Sequence, residues 1–246
     1  MLPLILRKGG GLARSVCLAA RSLGQAHRTT MPIVYGFRGT VEYYRDHFEE
    51  LDIPRPGKCR HCQAVDSFIG HGSYWRRPLD RWKDYLIRIR RWLCKACRRT
   101  VSILPSFLLR SRRYLLAVVR QVVTARFEDD ASWGQIEQQG TTEANDDFVP
   151  SQRTIRRWCR SFDEQAPRWL GAVQRVLADH DVTLPLLDPL GEATVARTAA
   201  GALLHGATQL VAWAKTEWDD LADYSRDDRL RLLWQWGHAQ GLGRLV

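Results

Sequence analysis

The order of apolar and polar residues divides the chain into a β-rich part followed by a helical part. Residues 67–75 and 85–92 predict two strands, and in the second strand alternate residues share a face. Pro78 lies in the turn between them. Residues 100–104 predict a third short strand that ends at Pro105. We therefore expect a small three-stranded unit.

After Pro105 the period of the pattern changes from two to 3.6. Residues 112–127 carry apolar side chains at helical spacing and predict a helix that faces a core. A second, short helix is expected over residues 133–138. Ser132 is a suitable N-cap for this helix, and we expect Gly140 to end it.

A third helix is expected after Ser151, another good N-cap. Its apolar residues fall on one side, which leaves a face rich in arginine to solvent. Such a face is typical of the recognition helix of a helix-turn-helix protein, which enters the major groove of DNA. Arg and Gln can bond to the edges of G and A. We expect base contacts from Gln152, Arg153 and Arg156, and phosphate contacts from Arg157 and Arg160.

Another interpretation of this helix stays open. The connection from Gly140 to Pro150 is longer than the usual turn of a helix-turn-helix pair. A basic amphipathic helix that packs on the acidic residues 141–148 would show the same pattern.

The remaining residues predict helices over 167–180, 192–218 and 227–240. Small residues recur in the second of these, which suits close packing within the chain or across a dimer. We expect the tryptophans of this part to be core or interface anchors rather than ligand contacts. They are Trp218, Trp234 and Trp236.

Positive charge is concentrated in the strands and in the helices beside them. The net charge is +10, and residues 55–126 hold eighteen Lys or Arg against three acidic residues. Arginine interleaved with aromatic residues is typical of phosphate-binding surfaces, although a solvated basic face would have the same composition. The candidate DNA contacts in this part are Arg88, Arg90, Arg98, Arg99, Arg112 and Arg113.

Four cysteines form two pairs, Cys59-x-x-Cys62 and Cys94-x-x-Cys97, about thirty residues apart. Two such turns can supply four thiolates to one tetrahedral zinc ion. The alternatives are four separate reduced thiols, a redox pair, and a ligand set in which His61 or His71 replaces one sulfur. Cys17 and Cys159 lie outside the spacing and are expected to be ordinary small residues.

No segment has the roughly 18 uninterrupted apolar residues that a membrane span needs. We therefore expect a soluble, cytoplasmic protein. Residues 1–30 are basic, and Met31 opens a sequence typical of the start of a folded chain. We expect residues 1–30 to be either a disordered arm or a segment that precedes the true start of the protein at Met31. We do not expect a targeting peptide or a secretory signal there.

Three parts of the sequence together resemble the N-terminal regions of bacterial insertion-sequence transposases and of related uncharacterised proteins. They are residues 53–62 and 90–105, followed by the string at residues 154–158, and the likeness covers roughly residues 50–162. This resemblance implies recognition of DNA ends by a zinc ribbon and a helix-turn-helix unit. It also implies the four paired cysteines as metal ligands.

The sequence departs from a transposase after Phe162. A ribonuclease-H-like core needs acidic residues on strands to hold two Mg²⁺ ions, whereas this part is predicted to be helical. Asp163, Asp188 and Glu192 lie at expected helix ends and in a Pro-rich loop, where capping and turn roles are expected. We therefore expect no enzymatic activity in this chain.

The sequence as a whole predicts an α+β protein with a three-stranded zinc ribbon, a helix-turn-helix-like bundle and a C-terminal all-α region. The function predicted first is zinc-stabilised binding of double-stranded DNA in the nucleoid, as a possible homodimer and with a transposase catalytic partner. The alternatives are a protein-interaction module that docks through the C-terminal helices, and RNA binding on the aromatic face. The expected segments are 1–30, 31–54 as lead-in, 55–106 as zinc ribbon, 107–162 as the DNA-binding bundle and 163–246 as C-terminal helices.

Overall fold

A computed structural model describes residues 32–142, 148–180 and 198–246. The described chain has a mixed four-stranded sheet and six α-helices, so the α+β class is confirmed. The strands are β1 (Ile33–Tyr35), β2 (Phe68–Arg76), β3 (Ile87–Cys94) and β4 (Thr100–Pro105). The helices are α1 (Val41–Asp46), α2 (Leu116–Phe127), α3 (Trp133–Thr142), α4 (Gln152–His180), α5 (Ala199–Glu217) and α6 (Arg229–Ala239).

The sheet has the order β1-β4-β3-β2. The three predicted strands are present as β2, β3 and β4, and they pair antiparallel in sequence order. The expected alternation in β3 is also confirmed, because Ile87 and Ile89 are fully buried while Arg88 and Arg90 are not. The prediction missed β1, whose three buried residues pair parallel with β4, with Ile33 opposite Ile103.

Helix α2 begins at Leu116, four residues later than predicted. The preceding residues belong to backbone bridges instead: the Leu115 amide donates to the Leu79 carbonyl at 2.9 Å, and the Leu116 amide donates to the Phe107 carbonyl at 2.9 Å. These bonds hold the chain extended up to the first turn of α2. Arg112 and Arg113 therefore lie in the bend before α2 and not on the helix.

Ser132 caps α3 as predicted. The Gln135 amide donates to Ser132 Oγ at 3.3 Å, and the Ser132 amide donates to Gln135 Oε1 at 2.7 Å, which is the reciprocal arrangement of a capping box. The prediction that Gly140 ends this helix was wrong, since α3 continues to Thr142.

Helix α4 is one continuous helix of 29 residues, so the expected separate helix from Pro167 was wrong. Pro167 lies on the exposed side, where water can hydrate the carbonyl that the proline cannot bond. A stripe of buried side chains runs along the opposite side from one end to the other. Its members are Ile155, Trp158, Cys159, Phe162, Ala166, Trp169, Val173 and Leu177.

The C-terminal helices complete the same core. Helix α5 packs along α4, and α6 packs against α5 and β1. Trp234 is fully buried and its indole donates to the Leu108 carbonyl at 3.0 Å, whereas Trp218 and Trp236 are half-buried at the edge of the core. Residues 192–197 of the helix predicted over residues 192–218 lie outside the described residues. None of the helices in the described ranges is long and apolar enough to cross a membrane.

Candidate metal centre and basic surface

The four paired cysteines come together at one end of the sheet. All four sulfur atoms lie within 4.8 Å of one another, with 3.7 Å between the sulfurs of Cys59 and Cys97 and 3.7 Å between those of Cys62 and Cys94. Thiolates about 2.3 Å from a shared tetrahedral ion are about 3.8 Å apart. The cluster therefore has the size and the donor set of a metal site.

The two Cys-x-x-Cys loops have the same backbone conformation, and we call them the two knuckles. In the first, the Gln63 amide donates to the Cys59 carbonyl at 2.9 Å; in the second, the Arg98 amide donates to the Cys94 carbonyl at 2.8 Å. The residue after each second cysteine is left-handed, with φ of 63° at Gln63 and 59° at Arg98. This conformation turns the chain so that both thiols of a knuckle point to one side.

A hydroxyl group lies at the edge of the cluster. Ser67 Oγ is 3.2 Å from the sulfur of Cys94, and this hydrogen bond lowers the pKa of Cys94 to about 6. Burial raises the pKa of Cys59, and it raises the pKa of Cys97 to about 12. Thiols at this spacing resist full ionisation because each thiolate repels the others. A bound cation would offset this repulsion between the thiolates.

The other candidate ligands do not join the cluster. His61 and His71 are exposed, and the group of potential ligands found in the described residues contains the four cysteines alone. Cys159 is buried on α4, where burial raises the pKa of its thiol to about 11. Cys17 lies outside the described residues.

The first part of α4 presents an exposed group of arginines, which we call the α4 arginine face. The apolar stripe of α4 faces the core, and the arginines occupy the opposite side. Gln152 differs from them, because it is half-buried and its amide donates to Glu137 on α3 at 3.0 Å. The face consists of Arg153, Arg156, Arg157 and Arg160.

Helix α3 contacts one flank of this face. The guanidinium of Arg156 lies 5.5 Å from the ring centre of Trp133, and that of Arg126 on α2 lies 4.9 Å from the same ring. Trp133 therefore joins α2, α3 and α4 through two cation–π contacts. The bond from Gln152 to Glu137 reinforces the same junction.

The predicted DNA contacts on β3 have partners within the chain. Arg88 and Arg90 pair with Glu49 at 2.5 and 3.4 Å, and their guanidiniums stack on the ring of Phe48 at 4.4 and 4.9 Å. Arg98 is exposed on the second knuckle, and Arg99 is half-buried beside it.

The bend before α2 places Arg112 and Arg113 next to α4. The ring of Tyr114 packs edge-on against Trp158 of α4, with 5.2 Å between the ring centres. Arg113 is exposed and Arg112 is half-buried. The charges of Arg157 and of Arg244 near the C-terminus both act on Arg112. The sequence gives no signal for Arg244, because a single basic residue between a glycine and two apolar residues carries no helical or strand pattern.

The aromatic residues interleaved with the arginines divide into exposed and packed ones. Trp75 and Trp82 are 61% and 57% exposed. Tyr85 is buried and donates to Glu42 at 2.9 Å, while Tyr74 and Trp92 pack against the core. The exposed tryptophans lie at the end of β2 and in the loop that follows it.

Asp163 is exposed on α4, and Asp188 and Glu192 lie outside the described residues. Of the three acidic residues for which capping and turn roles are expected, the structure therefore describes Asp163 alone.

Comparisons with known sequences identify one similar region. Residues 59–158 match a domain of unknown function (DUF6431). The match begins at the first paired cysteine and ends on α4 at Trp158, so it contains the four-cysteine cluster, β2 to β4 and the beginning of the α4 arginine face. Searches of curated proteins and of solved structures found no match. The resemblance to insertion-sequence transposases stays a prediction.

Proposed function

We propose that the chain is a zinc-stabilised protein that binds double-stranded DNA through the α4 arginine face. The observation that carries the proposal is this group of four exposed arginines on one side of a helix whose other side is fixed in the core. Guanidinium groups bind phosphate oxygens and the edge of guanine. A rigid helix that presents several of them suits the major groove.

The helices around α4 support a helix-turn-helix-like arrangement. Helix α2 packs against both α3 and α4, and Trp133 and Glu137 of α3 contact the beginning of α4. In this arrangement the N-terminal residues of α4 approach the bases. We assign base contacts to Arg153 and Arg156 and phosphate contacts to Arg157 and Arg160. Gln152 positions α4 against α3 through its bond to Glu137.

Zinc is the metal that suits the four-cysteine cluster best. Four thiolates are soft ligands, and their spacing matches a tetrahedral zinc–thiolate site. Four protein ligands leave no open position for a substrate, so we propose a structural role for the ion. It would join the first knuckle to the end of β3 and the start of β4 in a zinc ribbon.

We place this activity in a bacterial mobile element or in gene regulation. The protein would act in the cytoplasm at the nucleoid, with catalysis supplied by a separate transposase subunit. A two-fold dimer would present two copies of α4 to two half-sites. These roles follow from the sequence resemblance and from the basic surface.

The test is binding to random duplex DNA, measured by fluorescence anisotropy over a series of salt concentrations. We expect binding that weakens steeply with salt, and about tenfold or greater loss of affinity in R153A/R160A, because each arginine contributes a contact to the duplex. Arg45→Ala is the matched control, since Arg45 is exposed on α1 and pairs with its neighbour Asp46 at 2.7 Å. No binding at low salt, or equal affinity of R153A/R160A and wild type, would contradict the proposal.

One observation favours a second candidate, the binding of single-stranded nucleic acid. Trp75 and Trp82 are exposed beside basic residues, and the Arg88 guanidinium lies 5.7 Å from the ring centre of Trp75. Exposed aromatic rings of this kind can stack on unpaired bases. Under this candidate, W75A/W82A would lose affinity for single strands, whereas R153A/R160A would retain it.

A further inference from the structure

The turn between β2 and β3, residues 79–84, is joined to the bend that precedes α2, and we call this turn the hairpin tip. The Leu79 amide donates to the Arg113 carbonyl at 2.8 Å, and the Leu115 amide donates to the Leu79 carbonyl at 2.9 Å. The side chain of Leu79 is buried at this junction. The hairpin tip is therefore fixed to the part of the chain that carries Arg113.

The hairpin tip also reaches the end of α3. The guanidinium of Arg81 donates to the carbonyl of Gln139 at 3.5 Å. Within the tip, the Asp80 amide donates to the Lys83 carbonyl at 2.9 Å, and the Arg81 amide donates to the Asp80 carboxylate at 2.8 Å. The tip is thus a tight turn that lies between α3 and the bend before α2.

Both neighbours of the hairpin tip contact α4. In the bend, the ring of Tyr114 packs against Trp158 with 5.2 Å between the ring centres. On the other side, Gln152 at the start of α4 donates to Glu137 of α3, two residues before Gln139. The hairpin tip therefore lies beside the first two turns of α4, where the α4 arginine face begins.

Two large side chains at this place are open to solvent. Trp82 is 57% exposed at the hairpin tip, and Arg113 is exposed in the bend. The neighbouring Lys83 pairs instead with Glu42 on α1 at 2.8 Å. Trp and Arg are the residues that contribute most often to the energy of a binding surface. Here they stand side by side at the border of a basic face.

The position of Trp82 and Arg113 indicates which partner covers them. The four arginines of the α4 arginine face span about 10 Å along the helix, whereas successive base pairs are about 3.4 Å apart, so the face covers a few base pairs. Duplex DNA is stiff over about 150 base pairs. A duplex bound at the face therefore continues past a neighbouring surface such as the hairpin tip. Its phosphates complement Arg113, and its sugars offer apolar surface to a ring.

We infer that the hairpin tip and the bend before α2 form a second contact with the duplex, beside the groove that α4 enters. Trp82 packs against sugars of the DNA backbone, and Arg113 binds a phosphate next to them. This inference rests on the proposed function. It extends the DNA surface from one helix to a helix and a hairpin that are held together by the bonds described above.

The first experiment measures the affinity of metal-loaded W82A for random duplex DNA by fluorescence anisotropy at one salt concentration. We expect a loss of about fivefold or more, because a Trp at the centre of a contact contributes at least about 1 kcal/mol. L86A is the matched control, since Leu86 is 48% exposed in the same hairpin but lies outside the tip, and it should bind as the wild type does. Zinc content and Tm show whether the variants are folded.

Equal duplex affinity in W82A and wild type would overturn the inference. A loss in W82A that is confined to single-stranded DNA would also overturn it, in favour of stacking on unpaired bases.

The second experiment uses salt to separate the roles of the two residues. R113Q should reduce the slope of log affinity against log salt by about 1, the value for one lost phosphate contact. W82A should lower the affinity by the same factor at every salt concentration, because an apolar contact releases no counterion. R45Q should change neither quantity. An unchanged slope in R113Q would refute the phosphate contact of Arg113.

The same variants distinguish this inference from the proposed function. If R153A/R160A loses duplex binding while W82A and R113Q keep it, the α4 arginine face stands and the hairpin contact is refuted. If W82A and R113Q lose affinity while R153A/R160A keeps it, the hairpin contact stands and the α4 arginine face is refuted. A wild-type protein that does not bind duplex DNA at low salt would refute both.

Discussion

The sheet and the helical part of this protein are stabilised in different ways. Of the nine residues of β2 only Phe68 is buried, and the edge of the sheet that contains β2 has little apolar contact with the rest. In the helical part, Trp158, Trp169 and Trp234 are fully buried, and the buried stripe of α4 continues for its whole length. The comparison indicates that the helices are held by burial of large side chains. For the knuckles and β2, we expect the proposed ion at the four thiols to supply the stability that apolar burial does not.

The difference matters for function because the two parts contribute different surfaces. The α4 arginine face is rigid through the core beneath it, and it does not include any of the four cysteines. The exposed tryptophans and Arg98 belong to the sheet and its loops, whose geometry depends on the knuckles. Loss of the metal should therefore disturb the second surface much more than the first.

The largest expected effect is that of removing one thiol from the cluster. Cys94→Ser should abolish stoichiometric zinc binding and remove much of the roughly 10 kcal/mol that a structural zinc site contributes to folding. Metal analysis and urea unfolding measure the two quantities. Cys159→Ser is the matched control, because Cys159 is buried on α4 outside the cluster. The Cys159→Ser protein should therefore bind zinc as the wild type does.

Hydrogen exchange after zinc removal by a chelator tests the comparison directly. Amides of β2 and β3 should then exchange well before those of α4 and α5, because the apolar contacts of the helices do not depend on the ion. Stoichiometric zinc in Cys94→Ser, or simultaneous loss of protection in strands and helices, would show that this division of the molecule is wrong.

A smaller but still large effect is expected in the helical core at Gly237. A Cβ atom at this position of α6 would lie 2.0 Å from the ring of Trp169 on α4. Gly237→Ala should therefore lower the free energy of unfolding by about 3 kcal/mol, since neither the ring nor the backbone has room to move. Urea denaturation measures the change.

Gly171→Ala on α4 is the control for Gly237→Ala. A Cβ at Gly171 has no neighbour within 4 Å, so alanine should raise stability by up to about 1 kcal/mol through its better helix propensity. If both alanine variants had the same stability, the close approach of α6 to α4 would not be a determinant of the fold.

The parts of the fold that the sequence predicted are those set by local pattern. The spacing of the cysteines and the alternation in β3 needed no information from distant residues. Ser132 is recognisable as the N-cap of α3 from its place just before the helix, and the bonds that it makes with Gln135 lie within one helical turn. Strand β1 has three residues, and its partner in β4 lies seventy positions further along the chain, so no local signal identifies it.

The wrong predictions arose where packing overrides local preference. Pro167 and Gly140 both disfavour a helix, but α3 and α4 continue through them. In α4 the buried stripe continues on both sides of the proline, and its burial outweighs a cost of about 3 kcal/mol.

The smallest of these effects concerns His238, a buried side chain of α6 close to the first knuckle. Burial lowers the pKa of His238 to about 3, and the charges of Arg60 and Arg110 contribute to this lowering. A hydrogen bond with the backbone of Pro32 acts in the opposite direction and raises the pKa. The unfolded chain takes up a proton near pH 6.5, so stability that is present above this pH is lost as the pH falls toward 3.

The titration of His238 alone should lower the free energy of unfolding by about 2 kcal/mol between pH 7 and pH 5. Urea unfolding at both pH values should show a correspondingly smaller decrease in His238→Gln than in wild type. His205→Gln is the control, because His205 is exposed on α5 and its removal should leave the decrease unchanged. Equal decreases in wild type and His238→Gln would mean that acid sensitivity originates elsewhere. A decrease that persists in His238→Gln but disappears with Cys94→Ser would assign it to the thiols, and therefore to the sheet rather than to the helical core.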